Sequence, residues 1–144
     1  MSLATSDLTQ RLATWFETLT TDTLGEIKQL YEIDAYFKDP FNEVRDVNRI
    51  QLIFQDMFTE FDQPRFVIQE QICDDEKGQS VLTWHFLFNW RGKAWCIVGS
   101  SHLRFSAEGR VSYHRDYWDA SEELYEKLPV IGFVLKALKK RAQG

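Results

Sequence analysis

Apolar residues recur every three or four positions in the N-terminal part of the chain, and this spacing predicts three helices. The first follows a cap at Ser6 or Asp7, and its apolar side comprises Leu8, Leu12, Trp15, Phe16 and Leu19. The second begins at a capping box of Thr23 and Glu26, and its apolar side comprises Leu24, Ile27, Leu30 and Tyr31. The third covers positions 47–61, and its apolar side comprises Val47, Ile50, Phe54, Met57, Phe58 and Phe61.

The period changes to two in the second half of the chain, which predicts strands. Four strands are expected at 65–73, 80–90, 94–106 and 110–118, separated by short polar segments that contain glycine. An earlier extended piece, 35–38, ends at Asp39-Pro40. Because proline disfavours helical geometry in the residue before it, we expect Asp39 at a strand end.

Helices followed by a meander of strands predict an α+β fold. We expect a cone-shaped, curved antiparallel sheet, an α+β barrel, packed against three N-terminal helices. The 144 residues fit a single domain, in which 120–144 form a C-terminal helical extension. The space between helices and sheet predicts a pocket that is open at one end.

The extension has Pro129 followed by a predicted helix at 130–142. Its apolar residues are Val130, Ile131, Phe133, Val134, Leu135 and Leu138, and its last turns carry Lys136, Lys139, Lys140 and Arg141. This helix has three candidate positions: a lid over the pocket, a contact with the outside of the domain or a partner subunit, and an anionic membrane surface. We favour the lid, because a space lined with aromatic rings needs closure against water.

The amino-acid composition limits the classes of function that this chain can have. Aromatic residues make up 15% of the chain, which fits an apolar pocket, an apolar interface or a generously packed core. The net charge of −5 argues against nucleic-acid binding. The two cysteines, Cys73 and Cys96, lack metal-ligand spacing and are predicted to be buried thiols of a reducing compartment. The chain shows no signal-peptide pattern and no apolar run of membrane-spanning length, so we expect a cytoplasmic protein.

Strand alternation selects the candidate chemical groups. In the strand at 80–90 the inward side is expected to comprise Leu82, Trp84, Phe86, Phe88 and Trp90. In the last strand His114, Asp116 and Trp118 share one side. An imidazole beside a carboxylate suits proton transfer near neutral pH, but it also suits a hydrogen-bonded core pair or two solvent-facing side chains. Motifs for phosphate binding, a nucleophilic serine or zinc are missing from the sequence, and we expect neither metal nor cofactor.

Two segments, LGEIKQLYEIDAYFKDP (24–40) and GSSHLRFSAEGRVSYHRDYWD (99–119), resemble a known superfamily. It contains nuclear transport factor two, ketosteroid isomerase and the SnoaL-like polyketide cyclases. The resemblance covers the chain from Leu8 to about Asp119 and implies the cone-shaped fold. It implies no single function, because this fold carries enzymes and non-enzymes.

The resemblance also suggests roles for individual residues. Asp39 stands where ketosteroid isomerases have their general base. Their two oxyanion donors are replaced by Trp15 and Ser101, so steroid isomerisation is not expected. SnoaL-like cyclases and related hydrolases use pocket His and Asp residues as acids and bases, which implies this role for His114 and Asp116. The expected ligand-binding residues are Trp15, Phe54, Trp84, Phe86, Phe88, Ser101 and Trp118.

Two functions stay open at this point. One is a cofactor-free isomerase, cyclase or hydratase acting on an apolar small molecule through proton transfer. The other is a non-catalytic ligand-binding or dimerisation module. In either case we expect a homodimer through the outer sheet face, whose residues would comprise Thr83, His85, Leu87, Asn89, Cys96, His102, Tyr113 and Tyr117.

Overall fold

A computed structural model describes residues 3–119. Helix α1 spans Thr5–Glu17, a 3₁₀ turn at Leu24–Glu26 leads into the one-turn helix α2 at Ile27–Leu30, and α3 spans Val47–Glu60. The strands are β1 Tyr31–Lys38, β2 Glu43–Arg45, β3 Asp62–Asp74, β4 Gln79–Trp90, β5 Lys93–Phe105 and β6 Val111–Tyr117. The extension at 120–144, with its predicted lid helix, lies outside the described residues.

The described strands form one curved sheet in the order β2-β1-β6-β5-β4-β3. The predicted α+β fold with helices against the sheet is confirmed, and the strands from β3 to β6 form the expected antiparallel meander. Two details differ. The sheet is open, with β2 and β3 at its edges, and β1 runs parallel to β6. The parallel pair is possible because α3 and four strands lie between β1 and β6 in the chain, so no hairpin joins them.

The helix starts differ from two of the predicted caps. Helix α1 begins directly after Ala4 without a side-chain cap, so Ser6 and Asp7 lie inside its first turn. The capping box at Thr23 does not form, because the Thr23 hydroxyl accepts the backbone N–H of Thr20. Among the helices in residues 3–119, α3 alone has a side-chain cap: Asp46 accepts the N–H of Asn48 at 2.7 Å.

The second predicted helix is shorter than its apolar spacing suggested. It ends at Leu30, and Tyr31 opens strand β1 rather than closing the helical stripe. Pairing with β6 begins at Tyr31↔Val111 and then passes through an irregularity before Tyr36. That irregularity leaves Ile33 76% exposed, while Tyr31 and Phe37 are buried. Tertiary pairing with a buried strand therefore outweighs the local helical preference.

The core lies between the inner sheet face and helices α1 and α3. The alternation predicted for β4 is confirmed, because Leu82, Trp84, Phe86 and Phe88 are buried and the residues between them are partly exposed. Aromatic rings make up much of this core. The high aromatic content is thus used mainly for packing between layers.

The cysteine prediction is half wrong. Cys73 is exposed on β3 and Cys96 is partly buried, and both are free thiols. Cys73 lies near the end of an edge strand whose side chains are mostly exposed beyond a register shift at Ile68, so no layer covers it. In residues 3–119 no helix is long and apolar enough to cross a membrane.

Candidate functional site

A buried hydrogen-bond chain centres on His114 of β6. The Tyr31 hydroxyl lies 2.7 Å from His114 Nδ1, and His114 Nε2 lies 2.6 Å from Asp116 Oδ1. The Ser101 hydroxyl donates to the same Asp116 oxygen at 2.5 Å, and the Trp84 indole N–H donates to Ser101 Oγ at 2.9 Å. Four strands thus contribute to one network: β1, β4, β5 and β6.

The sheet register explains why these side chains meet. In the β5–β6 ladder Ser101 lies directly opposite Asp116, one inward position from the pair formed by Leu103 and His114. On the other side, Phe37 of β1 lies beside His114. Inward positions of three neighbouring strands therefore converge at this point.

The network has a consistent direction. An indole N–H only donates and a carboxylate only accepts, so the protons of Trp84 and Ser101 point toward Asp116. A singly protonated His114 with its proton on Nε2 continues this pattern, since Nε2 then donates to Asp116 and Nδ1 accepts from Tyr31. Burial, followed by the charge of Asp116, raises the pKa of Tyr31 well above its ordinary value. The Tyr31 hydroxyl therefore keeps its proton and acts as the donor to Nδ1.

His114 itself is enclosed by aromatic rings. It is 1% exposed, and its ring centroid lies 4.8 Å from that of Phe37, 5.8 Å from that of Phe16 and 6.4 Å from that of Phe54. The solvent-facing interpretation of His114 is therefore wrong, because the curved sheet turns this side of β6 toward the helices. Asp116 lies further out and keeps 14% of its side chain exposed.

Asp39 directly follows β1 and holds the turn behind it. Its Oδ1 accepts the backbone N–H groups of Phe41 at 2.8 Å and Asn42 at 2.7 Å. The Asn42 side-chain Nδ2 donates to both carboxylate oxygens, at 3.0 Å each. Burial raises the pKa of Asp39 to about 6; the hydrogen bonds from Asn42 and Phe41 act against this rise, and the charge of Asp116 adds to it. Asp39 is thus a turn-former whose carboxyl group titrates close to neutral pH.

The parallel register brings the two carboxyl groups to one end of the sheet. Lys38 and Arg115 form the last paired positions of β1 and β6, so Asp39 and Asp116 are the next residue on each strand. The charge of Asp116 adds to the rise in the pKa of Asp39. The site therefore presents a pair of acids rather than an acid beside a free imidazole.

Two predicted donors are engaged inside the protein. The Trp15 indole N–H donates to the backbone carbonyl of Thr23 at 3.2 Å and so anchors α1 to the following loop. The Ser101 hydroxyl is committed to Asp116. Both protons are therefore used in contacts within the protein.

Apart from Trp84, the aromatic residues that were expected to bind the ligand lie in three separate groups. Trp15 and Phe54 pack against one another near His114, with ring centroids 6.0 Å apart. Phe86 and Phe88 stack instead with Phe66 and Phe61, at 4.9 Å and 4.2 Å. Trp118 contacts Phe41 in the Asp39 turn at 5.4 Å. Of these rings, Trp118 is the one that lies beside the acid pair.

Sequence reasoning missed two residues of this site. Tyr31 was placed on a helix, although Tyr31, Ala35 and Phe37 have the period of a strand. Asn42 was not selected, although Asp, Pro and Asn are typical turn residues whose short polar side chains bond within the turn. In residues 3–119 no group of three or more His, Cys, Asp or Glu side chains is placed to hold a metal ion.

Gly99 leaves the space in which the Trp84 indole lies. The two residues are opposite one another in the β4–β5 ladder, and a Cβ at Gly99 would lie 2.5 Å from Trp84 Cη2. We expect Gly99→Ala to lower the free energy of unfolding by about 1–3 kcal/mol in urea unfolding, because the rigid indole must move and its bond to Ser101 weakens. Gly25→Ala is the matched control, since an added Cβ there has open space. Equal stability of the two variants would contradict this role.

Comparison with known proteins agrees with this architecture. A family model described as a SnoaL-like domain matches residues 12–114. A search among curated proteins gave no significant match.

Solved structures share the fold at low sequence identity. An NTF2-like protein from Burkholderia thailandensis is 11% identical, with a TM-score of 0.73 over 89% of this chain and 100% of its own. A ketosteroid isomerase-like protein from Catenulispora acidiphila, solved with trimethylamine, is 13% identical, with a TM-score of 0.71 over 87% and 95%. An LEH-like epoxide hydrolase from Mycobacterium tuberculosis is 13% identical, with a TM-score of 0.70 over 93% and 94%. Together with the family match, these structures show that the chain belongs to the SnoaL-like family of the nuclear transport factor two-like fold.

Proposed function

We propose that this SnoaL-like domain binds an apolar small molecule beside Asp39 and Asp116 and moves a proton on it without a cofactor. The observation that carries the proposal is the acid pair: two carboxyl groups from adjacent strands, one with a pKa of about 6 and the other held by the His114 network. Isomerisation, cyclisation and hydration all need such a transfer.

Each acid has a distinct part in the proposal. Asp39, with its pKa near neutral, takes a proton from a substrate carbon or from water and later returns it. Asp116 completes the acid pair and keeps its orientation through Ser101 and His114. His114 is a positioning residue here, because its ring lies behind Asp116 and is enclosed by the core.

The surroundings of the acid pair suit an apolar substrate. Trp118 and Phe41 provide ring surface at the Asp39 turn, and the rings of Phe37 and Phe54 pack against His114. Apolar surface with a few convergent polar groups is the usual form of a small-molecule site. Two proteins of the same fold also support a small-molecule ligand. The protein from Catenulispora acidiphila was solved in complex with trimethylamine, and the protein from Mycobacterium tuberculosis is an LEH-like epoxide hydrolase.

A non-catalytic ligand-binding or dimerisation module is the alternative. It is favoured by the hydrogen bonds that Asp39 receives from its own turn, because a purely structural Asp would make the same contacts. Exposed apolar residues on the sheet, Val67, Val98 and Tyr117, favour the homodimer in either case.

The identity of the ligand decides between these functions. The protein is purified without denaturant, and small molecules that remain bound are extracted and identified by mass spectrometry. Incubation of the identified compound with the protein then shows whether it is converted. A compound that binds and is returned unchanged would leave the ligand-binding module as the function.

We expect Asp116→Asn to lower turnover of the identified compound by about 10²- to 10⁴-fold, because one of the two acids is lost while the shape is kept. The Ser101 hydroxyl and His114 Nε2–H still find an acceptor oxygen in the amide. Asp34→Asn on the exposed side of β1 is the control and should leave turnover unchanged. Wild-type turnover in Asp116→Asn, with an unchanged circular dichroism spectrum, would exclude Asp116 from the reaction.

A further inference from the structure

The Asn42 side chain next to Asp39 has one acceptor that receives no hydrogen bond from the part of the chain that the structure describes. Asn42 is 8% exposed, and its Nδ2 donates to both oxygens of Asp39. These two hydrogen bonds determine which end of the amide is nitrogen, since the reverse orientation would set an amide oxygen against a carboxylate. Asn42 Oδ1 is therefore assigned to the opposite side of the amide, away from Asp39.

Within residues 3–119, Asn42 Oδ1 is buried and accepts no hydrogen bond. Leaving a buried carbonyl oxygen unpaired costs about 1–3 kcal/mol, so native proteins nearly always supply a donor from the chain, from water or from a ligand. The oxygen is close to the acid pair. Amide bond lengths place it within roughly 5 Å of the Asp39 carboxylate oxygens.

The polar groups around the acid pair are mostly acceptors. The described donors of the His114 network are used within it, since Trp84 donates to Ser101, and Ser101 and His114 donate to Asp116. Asn42 Oδ1 receives no proton from the residues that the structure describes, whereas the Asp39 carboxylate already accepts hydrogen bonds from its own turn. A ligand with only acceptor groups would oppose oxygen to oxygen here, whereas a hydroxyl or an amine would satisfy the site.

We propose that Asn42 Oδ1 is the acceptor for a hydroxyl or amine group of the ligand, so that the site selects an apolar molecule carrying a hydrogen-bond donor. This inference rests on the proposed small-molecule site and specifies its substrate class. Asn42 has two functions in it: its Nδ2 holds the Asp39 carboxylate, and its Oδ1 holds the ligand beside that carboxylate. Specificity of this kind is strong because a ligand without the donor leaves the buried oxygen unpaired.

The test compares three probes of similar size by titration into ¹⁵N-labelled protein at neutral pH: benzyl alcohol, benzylamine and benzyl methyl ether. The alcohol and the amine carry a donor, while the ether keeps the ring and the oxygen but has no donor. We expect amide shifts at Phe41, Asn42 and Trp118, and roughly three- to tenfold tighter binding of at least one donor probe than of the ether. Tighter binding of the amine or of the alcohol identifies which group supplies the donor.

Variants separate the acceptor from general packing. In Asn42→Ala the affinity of the alcohol should fall to about that of the ether, because the variant has no acceptor for the hydroxyl group. Asn48→Ala is the matched control on an exposed position of α3 and should keep the wild-type ratio. If Asn42→Ala does not fold, the wild-type comparison of the uncharged alcohol with the ether still decides the question, because the protonated amine is also attracted by the two carboxyl groups.

Three outcomes would overturn the inference. Equal affinity of the ether and both donor probes in the wild type would remove the donor subsite but leave the proposed small-molecule site intact. An unchanged ratio in Asn42→Ala would show that another group selects the donor. Absence of shifts near Asn42 with all three probes would count against the donor subsite and the proposed site together.

Discussion

Replacing His114 by alanine is expected to lower the free energy of unfolding by about 3–5 kcal/mol. Two losses add up in this variant. The ring is fully buried among Phe16, Phe37 and Phe54, so its removal leaves a cavity in the core. The Tyr31 hydroxyl, which is also buried, loses its hydrogen-bond acceptor.

Urea unfolding followed by fluorescence measures this loss. His85→Ala is the control, because His85 lies on the partly exposed side of β4 and should change stability by less than about 0.5 kcal/mol. His114→Phe separates the two contributions, since it fills the space but leaves the Tyr31 hydroxyl without its acceptor. Its loss of stability should lie between those of His85→Ala and His114→Ala. A loss in His114→Ala no larger than in His85→Ala would mean that the network contributes little to folding.

Asp39→Asn is expected to lower turnover of the natural ligand by about 10²- to 10⁴-fold while the fold is retained. The amide cannot take up the proton, which removes the base. The turn persists because the side-chain oxygen of Asn can still accept the N–H groups of Phe41 and Asn42, as Asn commonly does in such turns. Initial rates and circular dichroism measured on the same preparation check both statements. Retained turnover would reduce Asp39 to a structural residue.

The same variant tests the pKa of Asp39 through stability. The folded-state pKa of about 6 lies above the ordinary value of 3.8. A group with a raised folded pKa stabilises the native state fully below its unfolded pKa, and this contribution is lost as pH rises through the folded value. The wild type should therefore lose up to about 3 kcal/mol relative to Asp39→Asn between pH 4 and about 6. Parallel stability curves of the two proteins over this range would contradict the raised pKa.

Much of the architecture follows from local patterns in the chain. The period-two alternation of β4 assigns Trp84, Phe86 and Phe88 to the core, because a half-covered strand must bury one side. Pro40 places Asp39 at a strand end through a steric effect on a single residue. The apolar spacing of α3 and the alternation of β6 likewise depend only on residues that are near one another in the sequence. Such local features can be predicted from the sequence before the fold is known.

The site itself depends on contacts between distant segments. Tyr31 has helical spacing with Ile27, yet it becomes a strand residue because β6 offers it a pairing partner and His114 offers its hydroxyl a buried acceptor. His114 and Asp116 were readable as a pair from their spacing. Sequence patterns did not predict their separate roles. They also did not predict that the Trp15 and Ser101 donors form hydrogen bonds within the protein.

The charge state of Asp39 also depends on the tertiary structure. Its position after a strand and beside a proline follows from the local sequence. Its pKa of about 6 results from burial by other segments and from the charge of Asp116, which reaches it only because β1 runs parallel to β6. Desolvation and charge coupling depend on distance in space, and the 76 positions between Asp39 and Asp116 carry no local signal of that distance.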